Sequence, residues 1–313
     1  MFTIVYSVLP VFLIIVAGFG LSRTPLLSNE FWQDANKLVY WVLFPAFLFH
    51  KTSTIELGEL NGAGFILTLL LAFAACVALV MLLQRPLKID RPATTSILQG
   101  ASRHNTFIAL AVTERLFGEQ GLALAAIATA VLVPFTNLAV VSLMGILLSP
   151  RHEAGLGKNI LRELLRNPFI VSILCGIGLN LAGIGEVPVL TDASAIVGRA
   201  ALPLVLLCIG ASLRVQPMGP IMPRVYAASA IKLLVFPMLV GAGIALLRLT
   251  PLEGLILMIY AAAPTSSAAY ALARHMGGDA LLMANIITFQ TMMSLLSLPL
   301  TLWLTAYWMD FPF

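Results

Sequence analysis

Apolar stretches of about twenty residues alternate with short polar breaks along the whole chain. Crossing the hydrocarbon of a bilayer takes about 20 apolar residues as a helix. Ten segments meet that length: 2–22, 31–50, 60–84, 94–117, 120–148, 167–184, 193–213, 222–247, 252–275 and 279–308. The joints hold breakers such as Arg85-Pro86, Asp90-Arg91-Pro92, Ser149-Pro150 and Gln216-Pro217. The longest joint, 149–166, carries Arg151, Lys158, Arg162 and Arg166 and reads as a short amphipathic linker. Ten spans divide as five plus five, and an odd number per half sets the halves in opposite orientations. The expected fold is all-α and integral to the membrane. It is a ten-helix 5+5 inverted repeat, with residues 1–150 as the first half and 151–313 as the second.

Composition strengthens the membrane reading. Of 313 residues, 60% are hydrophobic and only 10% charged, against about 25% charged in soluble domains. Mean hydropathy is +0.98. A net charge of +4 comes without basic patches interleaved with aromatics, so nucleic acid is not an expected partner. The first span begins at Phe2, with no basic residues before it and Arg23 after it, and reads as a retained helix rather than a signal peptide. Cys76, Cys175 and Cys208 lie within apolar spans and lack metal-ligand spacing, so no metal is expected. The motifs of metalloproteases, serine hydrolases, P-loop enzymes and dinucleotide-binding enzymes are missing, so no catalytic residues are expected either.

The basic residues orient the chain. Twelve of the eighteen Lys and Arg fall at joints after odd-numbered spans, and four (Lys51, Arg115, Arg199, Arg248) at joints after even-numbered ones. Cytoplasmic loops collect positive charge, so the expected topology is multi-pass with both termini outside. The other two, Arg103 and Lys232, sit inside spans.

Polar groups at membrane depth are costly and mark function, and two clusters of them occupy matching places. Ser102-Arg103-His104-Asn105-Thr106 interrupts the fourth span and Ala263-Pro264-Thr265-Ser266-Ser267 the ninth. Leu43-Phe44-Pro45 is echoed by Ala201-Leu202-Pro203, and Leu116-Phe117-Gly118-Glu119 by Met276-Gly277-Gly278-Asp279. Pro264 removes a backbone donor and breaks its turn. The half-helix that follows then points free N–H groups at the break, a setting suited to an anion. Arg103, Asn105 and Thr106 from one cluster, and Pro264, Thr265, Ser266 and Ser267 from the other, are therefore candidate substrate contacts, joined by Asn137 of the fifth span. His104, Lys232, Tyr270 and Gln290 are candidates for coupling or gating. Each has a plainer structural role open to it: a capped kink, a snorkelling lysine, a packed histidine, or an amide joining two helices. No Asp or Glu lies near the midplane, which argues against a paired-carboxylate cation antiporter.

In these motifs, and in Tyr270 and Leu298-Pro299-Leu300, the chain resembles the auxin efflux carrier family over nearly its whole length, in a bacterial form akin to malonate transporters. The resemblance implies the inverted-repeat fold of sodium/bile-acid symporters and sodium/proton antiporters, in the bacterial inner membrane. Helices 1, 2, 6 and 7 would form a scaffold that dimerises. Helices 3–5 and 8–10 would form a unit that moves like an elevator, with helices 4 and 9 crossing where they break. It maps Asn105 to the family's crossover asparagine, Pro264 to its helix 9 proline and Asn137 to a polar substrate contact. Plant members place Gly and Pro shortly after that asparagine; Leu110 and Val112 stand here. The expected function is secondary transport of small organic anions, carboxylates such as malonate or auxin-like acids. No bound cofactor is expected, and coupling to protons or sodium is left open. The expected partners are the anion and membrane lipid. The alternatives are a sodium-coupled bile-acid-type carrier and, from another class, a non-transporting receptor or membrane enzyme.

Overall fold

The computed structural model describes residues 1–54, 62–148, 167–184, 187–216 and 219–312, and every regular element among them is helical. The helices are α1 (Phe2–Leu21), α2 (Asn29–Leu38), α3 (Phe44–Ser53), α4 (Gly62–Gln84), α5 (Arg91–Ser102), α6 (Thr106–Leu148) and α7 (Pro168–Leu181). They continue as α8 (Leu190–Arg199), α9 (Ala201–Ser212), α10 (Met222–Ala230), α11 (Phe236–Leu247), α12 (Pro251–Ala262), α13 (Ala268–Met276) and α14 (Ala280–Trp308). The linker expected at 149–166 lies outside the described residues.

Among the described residues, six stretches are long and apolar enough to cross a membrane: Phe2–Leu21, Gly62–Gln84, Leu124–Leu148, Leu190–Ser212, Gly219–Leu247 and Ala280–Trp308. The other four expected spans differ for identifiable reasons. The fourth and ninth are each broken in the middle. The sixth is a 14-residue helix. The second opens with the polar turns of α2 and continues through a π turn at Val39–Leu43 into α3. A second π turn, Ile231–Val235, joins α10 to α11. Each π turn is followed by Phe-Pro (Phe44-Pro45, Phe236-Pro237). A proline ring clashes with the carbonyl four residues back, and the wider π turn relieves that clash without ending the helix.

Helix starts follow side-chain chemistry. Asp90 and Asp279 cap α5 and α14 by accepting from Ala93 N–H (2.8 Å) and Leu282 N–H (2.9 Å). Thr250 and Glu253 form a reciprocal capping box on α12. The capped starts of α5 and α14 are also tied together, because Ser96 Oγ donates to the Asp279 carbonyl at 2.9 Å. Gly118, at φ +56°, interrupts α6 and separates Thr106–Phe117 from the long span that follows. Leu110 and Val112 are buried within that first piece, so the break of the fourth span falls before Thr106, at Arg103–Asn105.

Packing partners recur in the two halves. α1 lies chiefly along α9, and α3 along α7. α4 packs on α5 and α11, while α11 packs on α12 and α4. The α1–α9 contact is close because it is made at glycines. A Cβ at Gly18 would run into the Leu207 carbonyl, and one at Gly210 into the Ile15 carbonyl.

Candidate functional site

The two interrupted spans meet at their breaks. α5 ends when Arg103 N–H bonds the Gln99 carbonyl (2.9 Å), and α12 ends when Ala263 N–H bonds the Ile259 carbonyl (2.9 Å), the same closing bond 160 residues apart. Between them Asn105 N–H donates to the Pro264 carbonyl at 2.7 Å, a backbone bond made directly across the crossing. Breaking α5 leaves the Gly100 carbonyl without its helical donor. Thr265 Oγ1 and Gln290 Nε2 both supply one, each at 2.8 Å. Gln290 Oε1 in turn accepts Thr265 N–H at 3.0 Å. Pro264, Thr265 and Gln290 thus hold the crossing together through buried bonds.

The second halves begin differently. At α6, Asn105 Oδ1 accepts Ile108 N–H at 3.2 Å, so the asparagine caps the half-helix. At α13 the N-cap Ser267 makes no side-chain cap bond. Among the described residues, the amides of Thr106, Phe107, Ser266 and Ser267 have no hydrogen-bond partner. Two helix N-termini, each with a positive dipole end and free donors, therefore converge on one place.

A cavity of about 120 Å³ lies there, lined by Arg103, His104 and Thr106 of the first break and Ser266 of the second, with Asn137 and Thr136 of α6. Tyr40, Phe107 and Phe169 form its aromatic wall, and Asn167 also lines it. Arg103, 8% exposed, donates to Asn137 Oδ1 (2.6 Å) and Gln99 Oε1 (3.3 Å). Both acceptors are neutral, and among the described residues no Asp or Glu lines the cavity. His104 packs against the Tyr260 ring with centroids 5.4 Å apart and the planes steeply inclined, and its buried Nε2 has no hydrogen-bond partner among the described residues. Tyr260 is fixed in turn by Thr129 Oγ1 and the Ala125 carbonyl, both at 2.7 Å.

The remaining candidates lie elsewhere. Ser267 and Tyr270 line a second cavity of about 120 Å³ on another face of the break, where Arg214 stacks over the Tyr270 ring (4.8 Å) and donates to its hydroxyl (3.2 Å). Lys232 is buried behind the crossing and does not line either cavity. Sequence reasoning passed over Gln99, Tyr40, Asn167 and Tyr260. Gln99 carried a signal, because it sits four residues before Arg103 on the same helix face. Ser102 and His104 do not share a regular helix, and the Ser102 hydroxyl bonds its own turn at the Leu98 carbonyl (2.6 Å).

The family described as membrane transport protein matches residues 3–302. The chain is also similar to an uncharacterized transporter of Methanothermobacter thermautotrophicus, 26% identical over 298 residues that cover 94% of this chain and 96% of the relative.

Proposed function

The chain belongs to the membrane transport protein family, the auxin efflux carriers that its motifs resemble, and from that premise we propose that it carries small organic anions across the membrane by secondary transport. It is a multi-pass membrane transporter rather than an enzyme. The substrate assignment rests on one observation: Arg103 is buried in a cavity where its hydrogen-bond partners among the described residues are two neutral amide oxygens. A buried guanidinium is stable when matched by an anion, and a carboxylate is its planar, two-oxygen complement. The incoming carboxylate binds Arg103 and the free amides of the two half-helices, while Asn137 and Thr136 hold its flank. Drug-sized ligands occupy about 300–1,000 Å³; the smaller cavity here favours acids of a few carbons over bile-acid-like steroids.

The 5+5 inverted repeat and the elevator belong to the same proposal. Their support is the exchange of partners between halves, with α1 on α9 and α3 on α7, and the closing bonds 160 residues apart. In this reading α1–α3 and α7–α9 form the scaffold and its dimer face, in the bacterial inner membrane with both termini outside. α4–α6 and α10–α14 carry the cavity past it. Uptake of labelled malonate and other small carboxylates into liposomes holding the purified protein tests the assignment. Wild-type uptake that falls in folded Arg103→Met and Asn137→Ala variants supports it; uptake equal to wild type in both removes the site.

A further inference from the structure

Lys232 is the most unusual side chain outside the cavity. It is 0% exposed, projects from the π turn at Ile231–Val235, and makes no ion pair among the described residues. Its Nζ donates to the Tyr260 carbonyl at 3.4 Å and lies 4.3 Å from the centroid of the Phe236 ring.

The Tyr260 carbonyl has a reason to need a donor. In an unbroken helix it would accept from residue 264, which is proline and has no N–H. The same orphan arises 160 residues earlier at Gly100, where two neutral groups, Thr265 Oγ1 and Gln290 Nε2, fill it. At Tyr260 an ammonium fills it instead. The carboxyl end of a helix carries about half a negative charge, and a cation there is favourable. A carbonyl of this sort and the negative face of an aromatic ring are both partners of a cation. In transporters with discontinuous helices, half-helix carboxyl ends and unwound carbonyls are where coupling cations bind.

We propose that Lys232 is a built-in cation at the carboxyl end of α12, standing where a mobile coupling cation would otherwise sit, so that transport proceeds without sodium. Lys232 is a positioning residue: it acts through Tyr260, whose ring packs against His104 of the cavity wall. The inference rests on the anion-transport reading for its flux consequences, and on the crossing alone for its binding consequences.

The test uses the full chain in liposomes and in detergent, with malonate as the flux probe. Wild-type uptake is expected to change less than about twofold when sodium is replaced by N-methyl-D-glucamine at equal ionic strength, far below the effect of one lost charged hydrogen bond. Lys232→Met keeps the volume and removes the charge. It is expected to fold with unchanged or higher thermal stability, since an apolar isostere in place of a buried charge is often neutral or stabilising, yet to lose about tenfold or more in uptake, the weight of one charged hydrogen bond. Lys232→Arg keeps the charge and is expected to keep most of the uptake. In detergent, Lys232→Ala is expected to gain thermal stability from methylammonium, with none gained from N-methyl-D-glucamine and no methylammonium effect on wild type. Sodium-dependent wild-type uptake, or Lys232→Met uptake equal to wild type, overturns the inference. Wild-type protein that moves no anion removes the transport reading instead, and the methylammonium arm then decides alone: no stabilisation of Lys232→Ala overturns the built-in cation.

Discussion

Replacing Arg103 by Met should move binding and stability in different directions. The guanidinium is buried and bonded to Asn137 (2.6 Å) and Gln99 (3.3 Å), and among the described residues no carboxylate lines the site. Exchanging a buried charge for an apolar side chain of similar length is often neutral or stabilising by about 1–4 kcal/mol. Against that, the Asn137 and Gln99 oxygens each lose a donor, and a stranded buried acceptor costs about 1–3 kcal/mol. Asn137 is only partly buried and faces the cavity, so water can serve it. The two contributions nearly cancel, and the unliganded variant should stay within about 2 kcal/mol of wild type. Binding has no such offset. A hydrogen bond to a charged group contributes about 1.5–3 kcal/mol, so the Kd for a small carboxylate should rise about 10- to 150-fold. Arg103→Lys should fall between, because it keeps the charge and loses the two-pronged fork. Calorimetric titration of malonate into protein in detergent, beside thermal unfolding without ligand, measures both quantities. A Kd within about twofold of wild type, where the charged bond predicts at least tenfold, would refute the anion-anchor role. A stability loss above about 4 kcal/mol would refute the balance argued for the empty site.

Other perturbations separate the crossing from its surroundings. Gln290→Leu strands Thr265 N–H and takes one of two donors from the Gly100 carbonyl; thermal unfolding should show a loss of about 1–3 kcal/mol, and an unchanged melting temperature would contradict the clasp. Asn105→Ala removes the cap on Ile108 N–H and should cost about 1 kcal/mol by the same measurement; no change would mean the cap carries no weight. Gly210→Val drives a side chain into the Ile15 carbonyl and should cost about 1–3 kcal/mol or prevent folding, read as the yield of monodisperse protein; a wild-type yield and melting temperature would contradict the close α1–α9 approach. Lys51 and Glu119 pair at 2.5 Å between α3 and the segment beyond Gly118, with Glu119 largely exposed. Glu119→Gln should alter stability by less than about 1 kcal/mol while changing the rate of uptake, because it ties the proposed scaffold to the moving unit; an unchanged rate would remove the tie.

Much of the crossing was legible in the chain because polar residues in an apolar span have few bland explanations. Pro264 announced a break, and the Arg103–Thr106 cluster marked its partner. The roles within that crossing were less legible. Asn105 reads as a donor to substrate, yet its side-chain oxygen caps Ile108 N–H and its amide reaches the Pro264 carbonyl. Gln290 reads as a gate or as an amide joining two helices, and its amide clasps Gly100 and Thr265. Both depend on which backbone groups a break leaves unpaired, and no side-chain pattern records that. Tyr270 sat near the ninth-span cluster in sequence but faces Arg214 together with Ser267, which lies one helical turn before it on the same side of the half-helix, while Ser266 precedes that helix and lines the first cavity. The π turns before Pro45 and Pro237 had a local signal in Phe-Pro, which marks a strained turn but not how the helix absorbs it.

If the buried Arg103, which pairs with no acid among the described residues, is the substrate anchor, this transporter carries small carboxylates. Solute counterflow tests it most directly. Liposomes holding wild-type protein are preloaded in turn with each of a panel of unlabelled mono- and dicarboxylates and given the same labelled compound outside. Label should accumulate transiently with at least one small carboxylate, competed by its charged analogues, not by its neutral amide, and this accumulation should be lost in Arg103→Met. Folded wild-type protein that shows no counterflow with any of them, or counterflow competed equally by the neutral amide, would contradict it.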